Sequence, residues 1–477
     1  MKLFTDNKSK EKKVFTYGAT TQGSIHDKNG KPMQDRSIQR WFGAGEENLL
    51  LVVSDGHGSD PYFRSDKGAE LAIDVASKIV IDFINDFEYN TKWPDFVCRG
   101  TEMDRSNRDP YAESQFRHLF EMIVAEWREA VENDLSKNPP KDEEYINAST
   151  KHDNSVKEFY ENHGESRLQI YGCTLIVAVR TPSYWMAFRI GDGTCECLDN
   201  TGNWFSPLPW DKQCEGNVTT SLCEFGAESF TYCFGRIIPT ALFIASDGID
   251  DNFGGVHDGI TPIDQIEWFR FLLLEIAKSK FSFSEEKMQK QLDILRHYDD
   301  KSLRLWIESD NFDSILSIIK QQCKVFQSNR WQQCKDFIEQ KQDEIAQLER
   351  DIDQMEKENE NINVSIILLE DENNQRNEDI TRLALLINKL KLRYERVKKR
   401  VDLIIHRRTR YEKKKSELEN QVVKNNSKLQ SAKQNTAENN RNISIKRTMA
   451  SSYRRELNEV YLPLLSQIEN RIKILDE

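Results

Sequence analysis

The chain has 477 residues, a formal charge of −12 and a sequence isoelectric point near 5.4. That length is too great for one ordinary domain, and that charge argues against a surface built throughout for nucleic acid. Every glycine lies at or before Gly259 and only Pro262 and Pro463 follow it, so a turn-rich globular part precedes a part that reads as continuous helix.

Residues 1–15 read as a polar leader without the apolar core of a signal peptide, and no apolar run approaches the roughly 18 residues of a membrane span. We therefore expect a cytoplasmic protein with no membrane partner. Two strands around a polar loop are predicted within "FTYGATTQGSIHDKNGKPMQDRSIQRWF", 15–42, and a third in "LLLVVSD", 49–55, whose unbroken apolar run predicts burial on both faces. Apolar side chains at helical spacing predict helices over 66–87 (Leu71, Val75, Ile79, Phe83) and 112–131 (Phe116, Leu119, Ile123, Trp127). Residues 90–110 and 132–164 read as long polar loops that help select a substrate.

Strands resume in "YGCTLIVAVR" and in "YWMAFRIGDG", where Tyr184, Met186, Phe188 and Ile190 share one face. Cys195 and Cys197 sit two apart on a further strand, and the nine cysteines include no Cys-x-x-Cys pair, so reduced core thiols are expected rather than a disulfide frame or a zinc site. "ALFIASDGID", a helix over 263–278 and "DDKSLRLWIE" complete the globular part. This order predicts an α+β fold, antiparallel sheets with helices packed outside them.

One pattern recurs: apolar strands end in aspartate beside glycine. Asp55-Gly56, Asp192-Gly193 and Asp247-Gly248 each follow a strand, and Gln34-Asp35 and Asp299-Asp300 adjoin two more. Asp-Gly alone is turn chemistry. Five such tips converging on one sheet end would crowd carboxylates that repel unless cations neutralise them, and oxygen-only ligands point to magnesium or manganese.

Taken in order, "QD" at 34–35, "SDGHG" at 54–58, "YGCTLIVAV" and "IGDG" up to 193, "IASDGIDD" at 244–251 and "DDKSL" at 299–303 resemble the metal-dependent protein phosphatases of the 2C (PPM) type, in the bacterial variant, over about residues 16–308. The resemblance implies a β-sandwich flanked by helices with two Mn²⁺ or Mg²⁺ ions in a cleft at one end. Asp55 would bridge both, the Gly56 carbonyl would bind one, Asp247 and Asp299 would hold the other, Asp35 would bind or orient metal-bound water, and Asp192 would belong to a third position. His57 would be the general acid, and a metal-activated water would hydrolyse phosphoserine or phosphothreonine of a phosphoprotein, opposing a Ser/Thr kinase.

This chain departs from the better-known members in three places. Gln34 stands where they have an acid, Gly30 where an arginine grips the substrate phosphate, and Gly193 where many have serine; Lys31 or His26 could take over the arginine's role. No cysteine precedes arginine at the spacing of a cysteine phosphatase: Cys173 to Arg180 and Cys323 to Arg330 each span one residue too many. The alternative is a catalytically weak phosphatase fold kept as a sensor or scaffold.

A helical linker, 309–344, leads to a long α-helical coiled coil over 345–477. Ile345, Leu348, Ile352, Met355, Ile366, Leu369, Ile380, Leu383 and Ile387 keep heptad register, with Asn359 and Asn373 at core positions. The coil is expected to form a homodimer or dock a partner. Because 340–379 is acidic and 389–415 basic, an antiparallel pair crossing near 383–387 would oppose unlike charges. A hairpin within the chain, turning at "NNSK" (425–428) or "NTAENNRN" (435–442), is the other arrangement. The basic stretch also has a composition that binds nucleic acid or an acidic protein, although charges mixed with heptad residues are more often a solvated or inter-helix face.

Overall fold

The run Leu49–Val53 is buried on both faces, as its composition predicts, because it lies in the middle of a layered structure: Leu50 and Val52 face one core, Leu49, Leu51 and Val53 another. In the computed structural model the described residues are 14–86, 96–98, 109–149, 151, 153–163, 167–211, 213–214, 218–254, 261–295, 299–396 and 401–476. They fall into two units, one up to Cys323 and one from Lys324. The predicted leader lies, apart from Val14 and Phe15, outside the described residues, as does most of 90–110.

The first unit holds two antiparallel sheets. One contains β1 (Val14–Thr21), β7 (Thr194–Leu198), β8 (Trp204–Phe205), β10 (Ala241–Ala245) and β11 (Lys301–Glu308), in the order β1-β11-β10-β7-β8. The other contains β2 (Arg36–Phe42), β3 (Asn48–Ser54), β4 (Phe96–Cys98), β5 (Leu175–Arg180), β6 (Trp185–Ile190) and β9 (Thr231–Gly235), in the order β2-β3-β5-β6-β9-β4. Residues between the sheets, among them Leu49, Leu51, Ile176, Trp185, Cys197, Leu242 and Trp306, make the inner core. The period-two face of β6, Met186, Phe188 and Ile190, points the other way, onto helices α2 (Ser65–Asp86) and α3 (Pro110–Lys137).

Local chemistry explains the main helices. Asp109 accepts from the backbone N–H groups of Tyr111 (3.0 Å) and Ala112 (2.9 Å), and Pro110 occupies the first helical position of α3. Trp127, fully buried on α3, donates its indole N–H to the Gly68 carbonyl of α2 at 3.0 Å. On the outer face of the other sheet, α7 (Ile263–Lys278) stacks Phe269 on Phe243 at 4.5 Å, and α8 (Glu285–Asp293) buries Met288 and Leu292. The region 132–164 is not loop: α3 runs to Lys137, and α4 (Asp142–Ala148) and α5 (Ser155–His163) follow. A short helix α1 (Ser24–Asn29) interrupts the first predicted loop. All eight cysteines whose side chains are described are buried and outside any disulfide.

After β11, α6 (Asp247–Asp250) having followed β10, a single helix α9 runs from Ser309 to Arg396 without a break at the predicted linker. Its first turns bury Phe312, Ile315, Ile319 and Cys323 in the first unit. In the second unit α9 packs against a returning helix, α10 (Val401–Glu456). Asn359 Nδ2 donates to Asn440 Oδ1 at 3.0 Å, Asn439 Nδ2 donates to Asn359 Oδ1 at 3.1 Å, and Asn373 Nδ2 donates to Asn426 Oδ1 at 2.8 Å. Falling numbers on one helix meet rising numbers on the other, so the coil is an antiparallel hairpin within one chain. Both proposed turn segments, 425–428 and 435–442, are helical within α10; the link between the helices, 397–400, lies outside the described residues. The core asparagines serve as polar register marks between the two arms, as their positions predict.

Beyond α10 a wide π turn, Leu457–Tyr461, precedes α11 (Leu462–Asp476). Pro463 has no N–H to give to the preceding turn and its ring crowds the carbonyl four residues earlier, which accounts for the widening. Here Cys334, Ile338, Ile345, Leu457 and Ile468 form a separate core. No described helix is long and apolar enough to cross a membrane.

Candidate metal and phosphate site

Sheet register brings the aspartates together. Arg36 pairs with Ser54, so Asp35 and Asp55 stand one position beyond the paired ends of β2 and β3. Ala245 of β10 pairs with both Thr194 of β7 and Leu303 of β11, which carries Asp192, Asp247 and Asp299 to the matching end of the opposite sheet. Asp55, Asp35, Asp247 and Asp299 interact electrostatically, as do Asp247 and Asp192.

Serines tie the two halves. Ser246 Oγ donates to Asp35 Oδ2 at 2.7 Å and accepts from Ser302 N at 2.9 Å. Ser54 Oγ donates to the Thr174 carbonyl at 2.6 Å, and Thr174 N donates to the Asp55 carbonyl at 2.8 Å. Two glycines are needed on steric grounds. Gly191 has φ of +110°, which lets the chain leave β6 toward Asp192, and a Cβ on Gly248 would lie 1.9 Å from the Asp300 carbonyl oxygen, where Asp247 is brought against the 299–300 turn.

Burial sets the charge state. Burial, with Asp300 adding to it, pushes the Asp35 carboxyl up to about 7. Burial, then Asp35 and Asp247, raise Asp55 well above the carboxylate range; burial, then Asp192, do the same to Asp247. Asp250, buried against Thr194 and Gln265, is pushed up to about 8 by burial. Asp35 Oδ1 is buried and has no hydrogen-bond partner. Such a cluster is costly unless protonated or neutralised by cations. Among the described residues no three acid, histidine or cysteine side chains close around one point as a ready cage. An open cluster of paired carboxylates nevertheless fits Mg²⁺ or Mn²⁺ better than zinc, since a magnesium ion commonly takes one or two carboxylates and keeps several waters.

The remaining expected residues are placed as follows. His57 is partly exposed, its ring edge-on to Tyr62 at 4.7 Å and its backbone N–H bonded to the Gly172 carbonyl at 3.1 Å. Burial lowers its imidazole to about 4, against the pull of Asp192. Lys31, partly exposed, donates to the Gly58 carbonyl at 3.0 Å, beside His57. His26 is buried instead: Nδ1 lies 3.0 Å from Asp300 Oδ1 and Nε2 3.8 Å from Asp299 Oδ1. The Asp300 hydrogen bond raises its pKa. Of the two substitutes for an arginine, Lys31 is the more open. Gln34 gives its amide N–H to Ser65 Oγ at 2.7 Å while its Oε1 is buried without a partner. Asp192 Oδ2 accepts from Thr219 at 2.5 Å.

Asp300 was not among the expected site residues. Its carboxylate accepts the backbone N–H of Gly23 and of Gln34, each at 2.6 Å, besides facing His26. Burial works against its charge, but these contacts hold it below the usual range. The doubled acid of "DDKSL" and the serine before each of Asp55 and Asp247 were the visible signals for Asp300, Ser54 and Ser246.

The model of the family described as protein phosphatase 2C matches residues 22–295, more than half the chain. This chain belongs to the protein phosphatase 2C family. Comparison with curated protein sequences found no match. Among solved structures, it is similar to PppA, a key regulatory component of T6SS in Pseudomonas aeruginosa (13% identity, 62% of this chain and 97% of that one, TM-score 0.35). It is also similar to the Mycobacterium tuberculosis serine/threonine phosphatase PstP/Ppp (12%, 62% and 98%, 0.35) and to the S. agalactiae serine/threonine phosphatase (12%, 62% and 99%, 0.34). At this identity and score these likenesses do not bear on what the chain does. Within the protein phosphatase 2C region lie Gln34-Asp35, the Asp55 motif, Asp192 and Asp247; Asp299 falls just beyond its end.

Proposed function

We propose that this chain hydrolyses phosphoserine and phosphothreonine in proteins with the help of two Mn²⁺ or Mg²⁺ ions, a third being associated with Asp192. The observation that carries this reading is the convergence of buried Asp35, its Oδ1 unpartnered, with half-buried Asp55 and Asp247, in a member of the protein phosphatase 2C family.

Asp55 with the Gly56 carbonyl and Asp35 would hold one ion, and Asp55, Asp247 and Asp299 the other. Bound there, the ions supply Lewis acidity and neutralise charge on the phosphoryl group. The chain's own residues do the rest. Asp35, fixed through Ser246, orients the attacking water. Lys31, on the rim, meets the phosphate's negative charge. His57 gives a proton to the departing serine or threonine oxygen; neutral in the free protein, it is charged when the phosphate dianion arrives beside it.

The free buried thiols agree with action in a reducing cytoplasm, opposite a Ser/Thr kinase. The test is phosphate release from a phosphothreonine peptide: turnover with added Mn²⁺ that EDTA abolishes supports the reading. A second reading, a phosphopeptide sensor of low activity, is favoured by Gly30, which offers no side chain to grip phosphate, and predicts peptide binding without turnover. Neither reading requires a homodimer; one formed through the coil would have to use outer faces of the hairpin, its inner faces being occupied in cis.

A further inference from the structure

The hairpin changes the meaning of its own charges. Near the open end, acids of α9 are met by bases of α10: Glu349 by Arg454, Asp351 by Lys446 (2.6 Å), Glu356 by Arg447 (2.5 Å) and Glu370 by Lys433 (2.8 Å). Four acids of α9 are therefore paired with bases of α10 within the chain. Carry the same register toward the closed end and 389–395 stands opposite 405–411, base against base. Residues 389–395 and 405–415 hold nine lysines and arginines and two acids, Glu395 and Glu412. The ion pairs there are local to one helix, Arg408 with Glu412 at 2.9 Å and Lys415 with Glu419 at 3.4 Å. Among the described residues Lys389, Lys391, Arg393, Arg407, Arg410 and Lys413 have no acidic partner, and all six are exposed.

We propose that this distal end of the hairpin binds the phosphodiester backbone of nucleic acid. Two helices that repel one another at their tips are stabilised by a polyanion laid across both, and the release of condensed counterions drives the association. The distribution of side chains favours this partner. Lys389, Lys391 and Arg393 step two residues at a time, and Arg407, Arg408 and Arg410 likewise point around their helix, so positive charge surrounds the tip. A membrane-surface helix instead needs one continuous apolar face. Among the described residues of 389–395 and 405–415 the exposed large apolar side chains are Leu392 and Ile405, one on each helix. A protein interface would centre on a desolvated apolar or aromatic cluster and be poor in lysine. The chain's overall charge of −12 makes the patch more selective, since the rest of the surface repels the same polyanion. This inference is independent of the phosphatase reading.

The experiment uses the full-length protein, a fluorescent mixed-sequence DNA duplex and an RNA strand of the same length, with anisotropy read in about 50 mM and about 200 mM salt. Binding at micromolar protein in the lower salt, weakened roughly a hundred-fold or more in the higher, is expected for five or more phosphate contacts. The pair Arg407→Glu with Arg410→Glu, and separately Lys389→Glu with Lys391→Glu, should each weaken binding at least about ten-fold and flatten the salt slope. Lys424→Glu with Lys428→Glu, on α10 outside the patch, should change it little. Circular dichroism confirms that each variant keeps its helix. No binding in low salt, equal loss from the control pair, or capture by phosphatidylserine vesicles without binding to nucleic acid would each overturn the proposal.

Discussion

Asp300 holds Gln34 by its backbone: the Asp300 Oδ2 to Gln34 N distance is 2.6 Å, joining the start of β11 to the residue before Asp35. The same carboxylate takes Gly23 N, so one buried side chain fixes the loop that delivers Asp35 to the candidate metal site. Asp300→Ala should therefore reduce cation affinity or activity by about 10–100-fold, the usual effect of removing a group that orients a ligand. Calorimetric titration of Mn²⁺ alongside turnover measures it. Unchanged affinity and rate in a folded variant would remove Asp300 from the account.

Metal-free protein should be more stable at pH 5 than at pH 8. Asp35, at about 7, and the raised Asp55, Asp247 and Asp250 bind protons in the folded state that the unfolded chain releases near pH 4. Their contribution is complete below pH 4 and is lost as pH rises through the folded values. His57, lowered to about 4, and Asp300, lowered from the usual carboxylate value, have the opposite sign; their contributions fade as pH falls through the folded values. The raised carboxyls outnumber them over pH 4–8. A Tm lower by at least about 5 °C at pH 8 in EDTA, restored by Mn²⁺, is expected from thermal melts. A metal-free Tm that rises from pH 5 to pH 8 would contradict the cluster.

Gln34→Glu puts an acid where better-known members of the family have one, but removes the N–H that Ser65 accepts and adds charge beside Asp35. In EDTA this should cost about 1–3 kcal/mol. With Mn²⁺ the loss should shrink, because the new carboxylate then faces cations. Chemical denaturation with and without metal separates the two; equal losses in both would show that Gln34 does not face the metal site.

The hairpin covers its heptad faces in cis, so the full-length chain should sediment as a monomer at micromolar concentration. A stable dimer would show that the outer faces of the coil, or another surface, associate.

What could be read in the sequence follows physical range. The strands carrying Asp55, Asp192 and Asp247 announced themselves by apolar runs ending in Asp-Gly, and α7 by helical spacing over the same residues, 263–278. Helix α4 did not, because only Tyr145 of its residues is buried and no apolar stripe exists to be seen. Which acid of the Asp299-Asp300 pair turns inward depends on β1 pairing with β11, a contact between residues some 280 apart, as in the register of Thr21 with Lys301. The coil's heptads were plain, yet its register was not. Unlike charges on 340–379 and 389–415 invited a crossing near 383–387, whereas the bases of 433–454 are the ones that meet those acids.

The most direct test of the central claim is the initial rate of phosphothreonine-peptide and p-nitrophenyl phosphate hydrolysis in Mn²⁺ by the full-length protein, compared with Asp247→Ala. Metal-dependent turnover that falls at least about a hundred-fold in the variant is expected, since the proposed role of Asp247 is to hold the cation. Equal rates in the two proteins, or no turnover by a folded wild type that binds Mn²⁺, would contradict it.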